Sequence, residues 1–227
     1  MTPPNFPNHT NALLFGEYGK KKPTLDSRSA GAGSHKMDVR IREERETDHE
    51  AVSSLHTLAF PDHGQVARLV DGLRIAKAPL PPLSFVATVD GEVTGHVMLT
   101  ASRLDALRRL VDVYVLSPLG VLPVCQRNGI GTQLVRHAIG AADVRGVPLV
   151  FLEGSPRYYG KRGFDRADTA GFRSPSLRIP PPAFQVARLS RYEEWMTGTL
   201  VYSETFWAHD RVGLRDPALS RFGHQSP

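Results

Sequence analysis

Apolar residues are scattered without period through residues 1–36 and become regular from Met37 onward. Val39 and Ile41 alternate around Arg40, which predicts a short strand. Thr47-Asp-His-Glu50 has the spacing of a capping box ahead of Val52, Leu55 and Ala59, so a first helix is expected there. Val66, Leu69, Val70 and Leu73 repeat at i, i+3, i+4 and i+7, the stripe of a second amphipathic helix. Pro79-Leu-Pro-Pro82 then forces an extended link. Phe85, Ala87 and Val89 alternate, Asp90-Gly91 has the form of a two-residue hairpin turn, and Val93 to Thr100 is the return strand. Leu110 to Leu122 reads as a further strand, bent at Ser117-Pro118.

A third helix is predicted to bury Ile130, Leu134, Ala138 and Ala142 and to leave Gln133, Arg136, His137 and Asp143 to solvent. Gly146-Val-Pro148 ends it, and Val147 to Leu152 is a nearly continuous apolar run, as in a buried parallel strand. Tyr158 to Phe164 forms a short helical turn closing at Gly163. From there to Trp207, phenylalanines and prolines alternate with polar segments, and strands are expected whose registers cannot be read. The organisation expected is therefore a disordered extension over 1–36, one domain over 37–210 and a loose tail over 211–227. Four of the six lysines lie in the extension, a shift that suggests a leader or an upstream start before Met37.

Composition narrows the classes. A chain of 227 residues with 41% hydrophobic content suits one soluble domain with a sizeable core. No apolar run reaches the about 18 residues of a membrane span, and no charged-then-apolar leader opens the chain, so no membrane partner and a cytoplasmic location are expected. One cysteine, Cys125, excludes an internal disulfide and a cysteine-cluster metal site; with no partner residue evident, it reads as a small apolar residue. The formal net charge of +5 is concentrated at the start: residues 1–36 hold five basic and two acidic residues, leaving 23 and 21 for the rest. A nucleic-acid-binding reading rests on this charge alone, and a nearly balanced body speaks against it.

The chemistry concentrates in Leu119-Gly-Val-Leu-Pro-Val-Cys-Gln-Arg-Asn-Gly-Ile-Gly-Thr132, a strand, a turn and a helix start. Helix N-termini carry unpaired N–H donors and partial positive charge, so anions bind there without a metal. A dinucleotide-binding turn wants a third small residue where Leu134 stands, and a P-loop wants a lysine after its second glycine where Thr132 stands. Gln/Arg-x-x-Gly-x-Gly/Ala is matched in full by Gln126-Arg-Asn-Gly129-Ile-Gly131. Three fixed positions in six residues also fit a glycine-rich turn that binds nothing, and the flanking elements must decide.

Those elements resemble the GNAT N-acetyltransferase superfamily over residues 38–208, and a bacterial predicted-acetyltransferase subfamily within it. Val93-Thr-Gly-His-Val97 is similar to its third strand, and Leu116-Ser-Pro-Leu-Gly-Val121 to its fourth. Gln126 to Gly131 resembles the cofactor loop, Tyr158-Tyr159-x-x-x-Gly163-Phe164 the end of the fourth helix, and Gly198-Thr-Leu-Val-Tyr202 a late strand. The resemblance implies an α/β (α+β) fold whose mixed central sheet is splayed between its fourth and fifth strands and flanked by helices. It implies acetyl-CoA as co-substrate and no metal. The pyrophosphate would lie on the turn (Gln126, Arg127, Asn128, Gly129, Ile130, Gly131 and Thr132), and the pantetheine arm along Leu119, Gly120 and Val121. A backbone N–H near Val121 would face the oxyanion of the tetrahedral intermediate.

The same resemblance gives Tyr159 the role of general acid toward the CoA thiolate, with packing beneath the cofactor helix as the alternative and Tyr158 as the neighbouring candidate. Glu153, at the end of the apolar strand, is the first candidate base, a solvated or arginine-paired carboxylate being the other reading. Asp112 comes second, and ordered water would serve a low-pKa amine. His96 and His56 read as core histidines or undecided. Many family members carry Asn or Asp where Ser155 lies, which leaves the acceptor side of the cleft open. The implied reaction is acetyl transfer to a primary amine, on a small molecule or a peptide or protein, by a monomer or homodimer. The rival is an acyl-CoA-binding sensor or partner module without turnover, which would keep the turn and be indifferent to Tyr159.

Overall fold

A computed structural model describes residues 38–213. Their order is β1 (Val39–Glu43), α1 (His49–Ala59), α2 (Gln65–Ile75), β2 (Leu83–Val89), β3 (Glu92–Ala106), β4 (Leu110–Val121), α3 (Ile130–Val144) and β5 (Leu149–Glu153). There follow α4 (Pro156–Tyr159), β6 (Asp165–Arg166), β7 (Phe172–Arg173), β8 (Phe184–Arg188), β9 (Gly198–Val201) and α5 (Glu204–Ala208). The extension expected over 1–36, and the tail beyond residue 213, lie outside the described residues.

The local patterns fold as their spacing dictates. Asp90 and Gly91 both take positive φ (52° and 87°), the pair of left-handed residues that a tight hairpin between right-twisted strands requires. The stripes of α2 and α3 are buried at the expected positions. The start of α1 differs from the Thr47–Glu50 box: the carboxylate of Asp48 reaches back to accept the N–H of Arg45 at 2.8 Å, and Arg42 holds that carboxylate with bonds of 2.6 and 2.8 Å. Asp143, partly exposed on the outer face of α3 as expected, also accepts the backbone N–H and the hydroxyl of Ser190.

Among the described residues, nine strands form one mixed sheet in the order β1-β2-β3-β4-β5-β8-β6, with β9 added to β3 and β7 to β9. All pairings in the main path are antiparallel except β4–β5. Helices α1 and α2 cover one face, where Val52, Leu69, Val70 and Leu73 meet Val86, Met98, Val113 and Phe151. Helix α3 covers the other, where Ile130, Leu134 and Ala138 meet Phe85, Ala87, Val97 and Val150.

Two irregularities in β4 shape the site. Val97 faces Leu119 and Leu99 faces Leu116, so Ser117 and Pro118, joined by a cis peptide, stand against Met98 alone. This extra residue is a bulge, and the strand bends where it occurs. Beyond it β4 and β5 part: the parallel ladder holds only Tyr114 to Val150 and Val115 to Phe151, leaving Leu116–Val121 without a partner in β5. The splay expected between the fourth and fifth strands is thus present. The chain after β9 belongs to the packed body: Phe206 is 2% and Val212 0% exposed, both in the α1–α2 layer. The boundary expected after residue 210 therefore falls inside packed chain.

Candidate functional site

The opening between β4 and β5 leads directly to the glycine turn. Leu122 donates its N–H to Thr94 of β3 at 2.9 Å. Successive residues of a strand direct their backbone groups to opposite sides. The N–H and C=O groups of Val121 and Leu119 thus face the opening, whereas those of Gly120 face β3, opposite His96. The Val121 carbonyl is occupied by the side-chain amide of Gln126 at 3.1 Å. Asn128 likewise turns inward, donating to the carbonyls of Cys125 and Gln126 at 3.2 Å. These two polar side chains brace the loop instead of reaching out of it.

The backbone of the turn does reach out. Arg127 and Gly129 both have positive φ (66° and 79°), and Gly129 is the residue before α3. Gln133, bonded to the carbonyl of Gly129, begins the helical ladder. Ahead of it the N–H groups from Arg127 to Thr132 have no backbone acceptor among the described residues. Such a run of donors, alternating between right- and left-handed residues at a helix start, is an anion-binding concavity.

Gly131 has a steric role that the motif did not disclose. A Cβ on it would collide with the hydroxyl of Tyr158 and touch Val121 at 3.7 Å. Tyr158 lies across the opening with its hydroxyl on the turn, and burial pushes its pKa up. The guanidinium of Arg162 stacks 3.5 Å above its ring and donates to the Thr132 hydroxyl at 2.6 and 3.1 Å and to the Tyr158 carbonyl. Arg162 follows Tyr158 by four residues, the spacing that places side chains on one helical face, and that signal was available in the sequence.

Tyr159 takes the other direction. It is 1% exposed and belongs to the apolar layer that contains Leu116, Leu119 and Leu152, residues at the parting ends of β4 and β5. Its ring meets those of Tyr158 and Phe164 edge-on, and burial raises its pKa well above that of a free phenol. The adjacent tyrosines thus divide, one to the turn and one to the layer beneath the opening. Ser155 precedes α4, and its carbonyl accepts the N–H groups of both tyrosines at 3.0 Å.

Glu153 closes β5 on the α1–α2 side and is 8% exposed. Its Oε1 accepts the hydroxyl of Tyr202 at 2.8 Å, and its two oxygens take the N–H of Gly213 at 3.2 and 3.4 Å. Burial outweighs these bonds and lifts its pKa to about 7. The carboxylate anchors the C-terminal segment across this end of the sheet. Asp112 is remote from the opening: it sits near the start of β4, half exposed, 3.7 Å from Arg103. Cys125 is half-buried in the turn.

His56 and His96 do come together, which their separation in sequence concealed. His56 Nε2 lies 2.8 Å from His96 Nδ1, both rings are fully buried, and His96 continues to Ser84 and Glu44. Glu44, Ser84 and Arg74 were missed because they lie far apart in sequence, just after β1, in β2 and in α2. Among the described residues, no group of three or more His, Cys, Asp or Glu side chains is placed to hold a metal ion.

Comparison with known proteins agrees with this architecture. Residues 40–167 match the family model described as Acetyltransferase (GNAT) domain. The uncharacterized N-acetyltransferase YjhQ of Escherichia coli (strain K12) is 29% identical over 130 residues, 57% of this chain and 71% of that protein. An N-alpha-acetyltransferase of Sulfurisphaera tokodaii is 33% identical over 121 residues, 51% of this chain and 70% of its own. Among solved structures, the GNAT family N-acetyltransferase YhbS of Escherichia coli in complex with CoA superposes with a TM-score of 0.68 at 28% identity, covering 78% of this chain and 95% of that one. A GNAT family acetyltransferase of Brucella melitensis in complex with acetyl-CoA gives 0.60 at 27%, covering 75% and 99%.

Proposed function

The chain belongs to the GNAT acetyltransferase family, and from that premise we propose that it moves an acetyl group from acetyl-CoA to a primary amine. By family it is an acyltransferase. One observation carries the proposal for the donor: a strand edge left unpaired by the parting of β4 and β5, its Val121 carbonyl held by Gln126, runs into a turn whose six N–H groups from Arg127 to Thr132 have no backbone acceptor among the described residues. An amide-bearing arm ending in a pyrophosphate needs both features in that order. No helix among the described residues is long and apolar enough to cross a membrane.

In this reading the N–H groups of Arg127 to Thr132 hold the pyrophosphate, while Gln126 and Asn128 keep the loop in shape. Tyr158, Arg162 and Thr132 close over the same end of the donor. Leu119 and Val121 pair with the arm, and Gly120 does not, because its polar groups face β3. Leu119, one repeat deeper along the strand, offers the N–H that meets the thioester carbonyl and its developing negative charge. Bound acetyl-CoA supplies an activated acyl carbon. Acetyl transfer forms a C–N bond and breaks the C–S bond, the electron pair leaving with sulfur.

Two protons must then move. Tyr159 gives its phenolic proton to the thiolate. Burial keeps it a phenol across the working pH range, and it lies in the same apolar layer as the parting strand ends. The amine loses a proton to a base. Glu153, which ties Tyr202 and Gly213 across the end of the sheet, is not assigned that role in this reading.

A thermal shift with CoA against NAD tests the donor assignment, since a ligand that binds only the folded state raises its stability by mass action. Stabilisation by CoA and acetyl-CoA alone is expected. Stabilisation by NAD alone would overturn the reading. The second reading, a CoA-binding module without turnover, is favoured if acetyl-CoA binds and no amine in a broad panel is acetylated.

A further inference from the structure

Beneath β4 runs a chain of buried polar groups that donor binding does not use. Glu44, just after β1, takes the guanidinium of Arg74 from α2 at 2.5 Å and the hydroxyl of Ser84 from β2 at 2.6 Å. Ser84 Oγ lies 2.8 Å from His96 Nε2, and His96 Nδ1 lies 2.8 Å from His56 Nε2 on α1. The last ring rests on the donor strand: a Cβ at Gly120 would come within 2.9 Å of His56 Nδ1 and Cε1. His96 is the ladder partner of that same glycine.

The direction of the hydrogen bonds follows from their anchored end. Burial works to raise the Glu44 pKa, but the nearby His96 ring, 3.7 Å away, and bonds from Arg74 and Ser84 reverse it and hold the group well below the usual carboxylate range. An ionised carboxylate only accepts, so Ser84 donates its single hydrogen to Glu44. Ser84 Oγ must then accept from His96 Nε2–H. That leaves His96 Nδ1 bare, to accept from His56 Nε2–H. His56 Nδ1 therefore carries a lone pair and no proton. It is fully buried and has no hydrogen-bond partner among the described residues. Burial lowers the pKa of both imidazoles, as neutral tautomers require; the charged and titratable groups facing them are Glu44, Arg74 and His49.

A buried acceptor left open is costly unless something fills it. Here it lies against Gly120, between the two residues over which the acyl carbon would lie. We propose that His56 Nδ1 is the base that takes the acceptor amine's proton through a bridging water, and that His96, Ser84 and Glu44 are positioning residues that fix its tautomer. The inference rests on the acetyl-transfer reading. As the C–N bond forms, the amine's proton passes through the water to Nδ1, and the resulting imidazolium is stabilised along the chain toward Glu44. The arrangement follows the general logic of a base oriented by a third group.

Nitrogen-15 NMR of the free protein reads the arrangement without turnover. Neutral His56 and His96, both protonated at Nε2 at pH 7, are expected; a proton on His56 Nδ1 would overturn the proposal. Kinetics with acetyl-CoA and the best amine read the role. His56→Gln should lower kcat by about 10²-fold or more, with the KM for acetyl-CoA little changed, as for a side chain that acts in the transition state and does not bind the donor. Ser84→Ala is the gentler variant. It should move the acidic limb of the kcat–pH profile and keep CoA-induced thermal stabilisation, which shows that it folds. Full kcat in His56→Gln, or an unmoved pH profile in Ser84→Ala, would refute the base. A wild-type protein that releases thiol to no amine removes the transfer reading and the base role with it, while the tautomer result still decides the direction of the chain.

Discussion

The hydroxyl of Tyr158 occupies the space into which a side chain at Gly131 would project. The second glycine of the turn thus clears room for a phenol, beside the room for a phosphate that the proposed function gives it. Gly131→Ala should therefore displace Tyr158 and weaken CoA binding, and Tyr158→Phe, by deleting the hydroxyl, should make the alanine tolerable. Residues in direct contact couple by roughly 0.5–3 kcal/mol. Titration of CoA against the two single variants and the double variant measures this. Strictly additive losses would show that the contact does not govern binding.

The two tyrosines should separate kinetically. Tyr159→Phe is expected to lower kcat by about ten-fold or more, toward the range of a lost general acid, with acetyl-CoA affinity little changed. Tyr158→Phe should instead raise the KM for acetyl-CoA and leave kcat nearly intact. Steady-state kinetics at saturating amine reads both. Unchanged turnover in Tyr159→Phe would remove it from the proton transfer.

Much of this division was hidden from the sequence. The hairpin at Asp90-Gly91, the stripes of α2 and α3 and the turn itself were legible because each is set by neighbours a few residues apart. Tyr158 and Tyr159 share chemistry and differ only in direction, which depends on where α4 lands after β5. The approach of His56 to His96 spans 40 residues and requires α1 to cross β3. The packing of Val212 and the anchoring of Glu153 by Tyr202 and Gly213 depend on β8 lying beside β5 and β9 beside β3. No local pattern encodes those long-range pairings.

Glu153 should make stability depend on pH. Its folded-state pKa is about 7 against an ordinary 4.5, so the folded protein holds a proton there that the unfolded chain releases. Stability from this group is complete below the ordinary value and is lost as pH rises through the window toward 7. A difference of that size corresponds to roughly 3 kcal/mol. Glu153→Gln keeps an acceptor for Tyr202 and Gly213 without the charge. It should therefore melt increasingly above the wild-type protein between pH 5 and pH 8. Parallel melting curves across that range would contradict the assignment.

The most direct test of the account is release of CoA thiol from acetyl-CoA in the presence of a panel of small-molecule and peptide amines. Amine-dependent thiol release is expected, with acetylated amine formed in equal amount and both lost when the turn is disrupted by Gly129→Pro. Acetyl-CoA bound tightly with no thiol released above hydrolysis, for any amine, would contradict it.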